Sequence, residues 1–397
     1  MGNLRILTAG ESHGKGLIGI IDGIPAGLRI DREKIDYQLK RRQKGYGRGG
    51  RMKIEKDRVE ILSGLRSGTT TGSPIAIFIE NKDWANWQEI MGVWKSRTDL
   101  PVKIPRPGHA DLAGAFKYNH HDLRNVLERA SARETAMRVA AGSVIRQLLE
   151  IFGIWIGSHV IGIHEVQTDK TFRKLCQEST EKIIENIKEK HRAAEASELR
   201  CSDPEVEEKM KKKILQAEKE GDSVGGMFEL AALNVPIGLG TYTFWDKRLD
   251  AIISGDVMSI PGIKAVEIGF GVESSHHFGS EIHDPILPGK SAIPQRSSNR
   301  AGGIEGGISN GEPIIVRAAM KPIPTLKKPL PSVNLETGEP VHAHKERSDV
   351  CAVPAASVVG EAMLAISLGK AFCEKFGGDS LEQMQRHYDG DKSAISG

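Results

Sequence analysis

Cysteine is scarce: Cys176, Cys201, Cys351 and Cys373 are the only four in 397 residues, and no two form a C-x-x-C pair. That usage suits a reducing compartment and argues against zinc. Long apolar runs are missing as well. No stretch approaches about 18 residues without a charge, which excludes a membrane-spanning helix. The first residues show no basic segment followed by an apolar one, so no secretory signal is expected and the cytoplasm is the expected location. Charge of one sign is not in excess either. With 55 Lys+Arg against 52 Asp+Glu the net charge is +3, so the whole molecule is no polyanion binder and any basic site must be local. Between residues 164 and 220 glycine is absent and Pro204 is the only proline.

The apolar set makes up 39% of the chain, enough to bury a core without disulfides or metals. Elsewhere glycine is abundant, 44 in all, and gathers with polar residues in Gly10-Glu-Ser-His-Gly14, Gly45-Tyr-Gly-Arg-Gly-Gly50 and Gly302-Gly-Ile-Glu-Gly-Gly307. Glycine is costly inside helices and strands and useful where backbone turns tightly or approaches a ligand, so these runs suggest a site built from loops.

Strands are expected at residues 4–8, 16–21, 58–63, 75–80, 227–235, 265–273 and 313–319. Asp31 is placed to cap a helix reaching about Lys44. A long helix is expected over 122–152 and a closing one over 354–376, followed by a loose polar tail, 377–397. Residues 165–220, dense in Lys and Glu, read as a charged helical insertion with a solvated face, with Pro204 at a helix start and Gly221 at its end. Two segments echo one another in the same order. Gly23-Ile-Pro-Ala-Gly-Leu28 is similar to Asn234-Val-Pro-Ile-Gly-Leu239, and Gly72-Ser-Pro-Ile-Ala-Ile77 to Gly311-Glu-Pro-Ile-Ile-Val316. They hint at two pseudo-equivalent halves, and the irregular order of strands and helices favours an α+β sandwich over a doubly wound parallel sheet. Residues 1–376 are read as a single catalytic domain.

Some motifs fail on context. Gly45-Tyr-Gly-Arg-Gly-Gly50 fits G-x-G-x-x-G but follows a helix, and no helix opens after it. Gly10-Glu-Ser-His-Gly-Lys15 lacks the first glycine and the magnesium-binding hydroxyl of a phosphate loop. His120-His121, His276-His277 and His342-Ala-His344 have no carboxylate or cysteine set beside them and read as polar surface, so no metal is expected. What survives is arginine. Lys40, Arg41, Arg42, Lys44, Arg48, Arg51 and Lys53 follow one another without an acid, and Arg106, Arg124, Arg129, Arg133, Arg138 and Arg347 follow later. Arginine grips phosphates and carboxylates through paired hydrogen bonds, which suggests a small polyanionic substrate. Lys40 and Arg41 read as solvated surface, Arg48 and Arg106 as functional. His13 and His109, each on a glycine loop beside basic residues, are placed to transfer protons.

Here the chain becomes recognisable. Gly10-Glu-Ser-His-Gly14, Arg106-Pro-Gly-His-Ala-Asp111, Glu128-Arg-Ala-Ser-Ala-Arg-Glu-Thr135, the run from Gly302 to Gly311, Lys321-Pro-Ile-Pro-Thr325 and Arg347-Ser-Asp349 resemble the signatures of the chorismate synthase family. The resemblance runs from Met1 to about Phe376 and is weakest over the insertion. It implies a fold of helices between antiparallel sheets, a homotetramer, and conversion of 5-enolpyruvylshikimate 3-phosphate to chorismate by anti-1,4-elimination of phosphate and a proton. It implies reduced FMN as cofactor, with no net redox change, a separate flavin reductant, NADPH as an indirect reductant at most, and neither nucleic acid nor membrane as partner.

The same resemblance assigns residues. Ser12, Arg42, Arg48, Arg106, Arg133 and Arg347 bind substrate; in some relatives the pair matching Arg42 and Arg48 is assigned to NADP. His109 is the acid for the departing phosphate, His13 the proton source near flavin N1, and Asp349 the acid assisting proton removal at N5. FMN contacts fall on Arg129, Ala130, Ser131, Pro261, Gly262, Gly306, Lys321, Pro322, Ile323, Pro324, Thr325 and Arg347, with Lys321 and Thr325 able to hold its phosphate. At Pro261 and Gly262 many relatives carry Asn-Ala, so a side-chain amide contact is absent here. Two rivals remain: an RNA binder using Gly45-Tyr-Gly-Arg-Gly-Gly-Arg51, whose binding would fall steeply with salt, and a flavoprotein oxidoreductase, which would consume NADPH in step with product.

Overall fold

The computed structural model describes residues 4–48, 56–94, 96, 101–177, 182–289, 294–343 and 349–396. Two antiparallel sheets enclose a layer of helices. The first sheet takes β1 (Arg5–Ala9), β2 (Gly16–Asp22), β3 (Glu60–Ile61) and β4 (Ile75–Glu80) in the order β1-β2-β4-β3. The second takes β5 (Trp155–Ile163), β6 (Val166–Gln167), β7 (Gly226–Leu233), β8 (Ile263–Ile268) and β9 (Ile314–Met320) in the order β8-β9-β7-β5-β6. Between them lie α1 (Arg32–Gln43), α2 (Thr135–Ile151), α5 (Leu249–Met258) and α6 (Val353–Phe376). Helix α2 packs on the first sheet, α6 on the second, and the two pack on each other. The α+β sandwich expected from the sequence is the architecture found.

The echoed segments form turns closed by matching hydrogen bonds. After β2 the chain turns at Pro25, and the Thr70 hydroxyl accepts from Leu28 N (2.9 Å) and donates to Pro25 O (2.6 Å). After β7 it turns at Pro236, and the Ser309 hydroxyl accepts from Leu239 N (2.8 Å) and donates to Pro236 O (2.6 Å). Each hydroxyl belongs to a short hairpin, Leu65–Arg66 with Thr69–Thr70 and Ile304–Glu305 with Ile308–Ser309, that feeds the strand pairing with β2 or β7.

The halves differ in what covers their outer faces. In β2 burial alternates, and Ile18 and Ile20 point outward and exposed, as does Leu7 on β1. In β5 and β7 nearly every residue is buried, because the segment from 165 to 220 covers the outer face of the second sheet. Beneath it runs a row of polar side chains straight across four strands, His159–Glu229–Arg317–Glu267, paired by register. Glu229 accepts from Arg317 Nη2 (2.7 Å) and lies 3.1 Å from His159 Nε2, so a fully buried carboxylate stays partnered.

The inner face of that segment is tied into the core. Its helices α3 (Ile183–Ala196) and α4 (Pro204–Glu220) exist, and Pro204 and a left-handed Gly221 bound α4 as expected. Yet Met210, Ile214 and Ala217 belong to the main core, and Glu195 and Arg200 enter a buried ionic network. Arg41, read as surface, is the centre of that network and is only 3% exposed, with bonds to Glu361 (2.6 and 2.8 Å) and Glu195 (2.9 and 2.5 Å). A helical period cannot reveal an ion pair whose partner lies 320 residues away.

Three local expectations also change. The helix over 122–152 is interrupted: Arg124–Arg129 ends, Ser131 is extended and caps a 3-10 turn at Ala132–Glu134, and α2 begins at Thr135. The strand expected over 265–273 stops at Ile268, since Gly269 and Gly271 take positive φ (58° and 52°). The tail is ordered: α7 (Leu381–Ser396) buries Met384 and Tyr388, and Tyr388 packs on Phe152, Phe372 and Phe376.

Helix α6 is long and apolar enough to cross a membrane by composition, but that window is 94% buried between the sheets. A helix buried on nearly every side is what a central core helix looks like. It crosses α2 where Gly142 leaves room: a Cβ there would lie 2.7 Å from the Ala362 carbonyl oxygen. Gly142→Ala should therefore destabilise by about 1–3 kcal/mol through overpacking, against the ~1 kcal/mol that alanine gains in helix propensity. Urea unfolding reads the sign, and a more stable variant would refute the close crossing.

Candidate active site

The loop between β1 and β2 carries Ser12 and His13. It is drawn tight at Gly10, where a Cβ would stand 2.3 Å from Gly16 O. Asn81, just after β4, donates to the carbonyls of Glu11 (3.0 Å) and Gly14 (2.8 Å). Arg129 donates to Gly10 O (2.9 Å) and Thr8 O (2.8 Å). Glu128 does the orienting: its carboxylate lies 2.9 Å from His13 Nδ1 and accepts from His13 N (2.8 Å). The imidazole stacks on Trp87 with centroids 3.9 Å apart. Ser131, in the break before α2, donates to the Ser12 hydroxyl (3.1 Å).

That break also aims Arg133 and receives Arg42. Arg133 donates to Asp57 Oδ1 (2.6 Å) and Asn81 Oδ1 (2.9 Å). Arg42, from the last turn of α1, donates through Nε to Thr135 Oγ1 (2.9 Å) and through Nη2 to Ala132 O (2.8 Å). Its Nη1 is left without a hydrogen-bond partner. Arg48 pairs with Asp349 at 2.8 Å. Burial, together with Arg48 and Arg133, pulls the Arg42 guanidinium down to about 10 although Asp57 and Asp349 oppose the shift.

A second group lies across the 105–111 loop. Asp111 accepts from Arg106 Nε (2.8 Å), Arg106 N (3.0 Å) and Arg106 Nη2 (3.1 Å), and its Oδ1 is 2.5 Å from His109 Nδ1. Burial would raise the Asp111 carboxyl, but the bonds from His109 and Arg106 outweigh it and hold it well below the usual carboxylate range. Arg106 Nη1 also reaches Thr325 Oγ1 (3.2 Å), and Lys321 Nζ reaches Gly108 O (2.5 Å). Lys321 N bonds Gly262 O (2.9 Å), so residues 261–262 join the 321–325 run.

The structure therefore brings the expected residues into two sets. Ser12, His13, Arg129, Ser131, Arg133 and Arg42 gather around the β1–β2 loop and the break before α2, in which Ala130 precedes Ser131, and the Arg48–Asp349 pair acts electrostatically on Arg42. Arg106 and His109 join Lys321, Thr325 and Gly262 in the other. Gly306 stands at the exposed tip of the second hairpin, which is held to α5 by Leu249 N on Gly307 O (2.9 Å). Arg347 lies outside the described residues, as do Arg51 and His344. Sequence reasoning missed Asp57, Glu128, Asp111, Asn81 and Trp87. Glu128 and Asp111 sit inside the quoted signatures and could have been found there; Asp57 has no local signal.

The family model described as chorismate synthase matches residues 4–373. The chain belongs to the chorismate synthase family. The chorismate synthase of Aquifex aeolicus is 55% identical over 388 residues, covering 97% of this chain and 96% of that protein. The one from Syntrophomonas wolfei is 54% identical over 389 residues, covering 97% and 96%. A solved chorismate synthase crystal structure superposes with a TM-score of 0.79 at 44% identity, covering 99% of this chain and 98% of that one. Chorismate synthases are lyases, and this chain is an enzyme of that class.

Arg48→Ala should weaken substrate binding about 10- to 150-fold, the worth of a charge-assisted hydrogen bond, with flavin affinity changed far less. Arg48→Lys should recover part of the loss, because lysine supplies a point charge without the fork. Equal affinity of Arg48→Lys and the parent would show that the fork is not used.

Proposed function

We propose that this chain converts 5-enolpyruvylshikimate 3-phosphate to chorismate by anti-1,4-elimination of phosphate and a proton, with reduced FMN bound. The observation that carries the reading is the gathering of three arginines, Arg42, Arg48 and Arg133, around Asp57 and Asp349. A substrate with one phosphate and two carboxylates complements it.

The residues fit the flavin. Lys321 and Thr325 supply donors suited to its phosphate, next to Arg106, which binds substrate. Nothing lies within 4 Å of a Cβ built on Gly306, which leaves room for a ligand. Arg129, Ala130, Ser131, Pro261, Gly262, the run 321–325 and Arg347 complete the proposed contacts. The bound reduced flavin would supply electron density that promotes loss of the allylic phosphate. Asp111 holds His109 by Nδ1, and Nε2, which lies 3.2 Å from Arg106 Nη2, is the nitrogen that protonates the departing phosphate. Glu128 likewise holds His13 by Nδ1, so that its far nitrogen can keep a proton toward the flavin. Asp349, paired with Arg48, assists proton removal. Ser12 donates to substrate phosphate.

Residues 1–376 act as one catalytic domain, a reading supported by a main core that draws on both halves. The homotetramer is supported by the uncovered apolar face of the first sheet, with Leu7 68%, Ile18 42% and Ile20 39% exposed. The flavin reductant is separate, with NADPH an indirect reductant at most, and the enzyme works in the cytoplasm, where its four free buried thiols stay reduced. An anaerobic assay with reduced FMN tests the reaction: released phosphate together with chorismate absorbance is expected, and absence of both refutes it. Sedimentation equilibrium tests the tetramer.

A further inference from the structure

The contact between Arg42 and Asp57 is incomplete in a specific way. Both side chains are buried, 5% and 0% exposed. Arg42 spends Nε and Nη2 on Thr135 and Ala132, and Asp57 spends Oδ1 on Arg133. What remains is Arg42 Nη1 and Asp57 Oδ2, which lie 3.8 Å apart, and neither has a hydrogen-bond partner. That separation is too long for a hydrogen bond. A buried polar atom left without a partner is destabilising, and more so when it is charged. Here a donor and an acceptor are open side by side, in the middle of residues that gather anions.

Their shapes and charges select what can fill the gap. A phosphate or carboxylate oxygen would satisfy Arg42 but would press against the Asp57 carboxylate. An ammonium would satisfy Asp57 and meet the guanidinium. A hydroxyl accepts one hydrogen bond and donates another, so it completes both atoms without adding charge. We infer that Arg42 Nη1 and Asp57 Oδ2 form a subsite for the free ring hydroxyl of the substrate, with Asp57 as a specificity-determining residue. The inference rests on the function proposed above: that substrate keeps one free ring hydroxyl, its other two ring oxygens carrying phosphate and the enolpyruvyl group. Arg42 and Asp57 thereby read the neutral group while Arg48 and its neighbours read the anions. Asp57 also holds Arg133, so one carboxylate couples hydroxyl recognition to the anion-binding arginines.

The test compares the substrate with an analogue in which that hydroxyl is replaced by hydrogen, the phosphate and enolpyruvyl groups being kept. Equilibrium binding by calorimetry is measured beside anaerobic phosphate release with reduced FMN. The parent enzyme should bind the deoxy analogue about 10- to 150-fold more weakly, the span of a hydrogen bond to a charged group. Asp57→Asn keeps the shape and loses the charge-assisted acceptor, so it should bind the substrate more weakly and bring the affinity ratio to within about threefold. Equal affinities in the parent would mean that a water bridges the gap, and would overturn the subsite. So would an Asp57→Asn enzyme that weakens both ligands alike and keeps the parent ratio, since Asp57 would then serve only as counter-ion to the arginines. The parent ratio needs no variant, so misfolding of Asp57→Asn leaves the test intact. A parent enzyme that discriminates in binding yet releases no phosphate would support the subsite and refute the proposed reaction.

Discussion

His109→Ala is expected to slow turnover by about 100- to 10,000-fold, the usual worth of a general acid, while flavin affinity stays close to that of the parent. The two effects separate because of how the loop is held. Arg106 is fixed by three bonds to Asp111 and one to Thr325, so it keeps its place when the imidazole is removed. Lys321, anchored on Gly108 O and Gly262 O, does not depend on the imidazole either. Phosphate release from anaerobic enzyme gives the rate, and flavin titration gives the affinity. A fall of less than about threefold would remove the acid role; a parallel loss of flavin binding would make His109 a scaffold for the 321–325 run.

Glu361→Gln should be the most destabilising single change in the core, by about 3–5 kcal/mol, the cost of breaking a buried ion pair from one side. Glu361 is 2% exposed and accepts from Arg41, Arg146 (2.9 Å), Arg200 (3.0 Å) and the Ser158 hydroxyl (2.6 Å). Its removal leaves Arg41 and Arg200 sharing Glu195, and Arg146 with Glu150. Urea unfolding measures the loss, and a change under about 1 kcal/mol would show that the network relaxes. The network also fixes pH dependence. Burial would raise Glu195, but Arg41 and Arg200 hold it down at about 2. Glu361 is likewise depressed well below its ordinary value by Arg41, Arg200 and Arg146 against its burial. A depressed carboxyl stabilises fully above the unfolded value of about 4.3 and loses that contribution as pH falls through the folded one. The parent should therefore lose stability between about pH 4 and pH 2, and the slope should be shallower in Glu361→Gln. Because Arg41 and Arg42 are neighbours on α1, the variant should also bind substrate more weakly.

Elements read from periodicity held where local rules suffice. Asp31 does cap α1, its carboxylate accepting from Glu33 N (2.9 Å), and the 75–80 strand has the expected bounds. The echo between Gly23–Leu28 and Asn234–Leu239 located two equivalent turns, because each needs the same proline, glycine and hydroxyl chemistry. Errors arose where a distant partner overrode a local pattern. Arg41 looks like any basic residue in a polar helix turn, and only Glu361 makes it a core residue. The 165–220 segment reads as solvated by composition, and only the outer face of the second sheet shows which of its residues are covered.

For the site, the sequence by itself determined the chemistry on offer. It supplied arginines for anions, histidines on glycine loops for protons, and signature strings that name the family. Those properties belong to residue types and short spacings, so they survive without coordinates. Tertiary structure alone decided how many hydrogen bonds each group has left to give. Arg42 is spent on two of its three nitrogens, Asp111 and Glu128 orient the two histidines, and Asp57 joins Arg133 to an edge of Arg42 from a position with no local signal. The physical reason is that hydrogen-bond capacity is used up by partners distant in sequence. A string of residues lists donors and acceptors, but only the packed chain leaves one of each open beside the other.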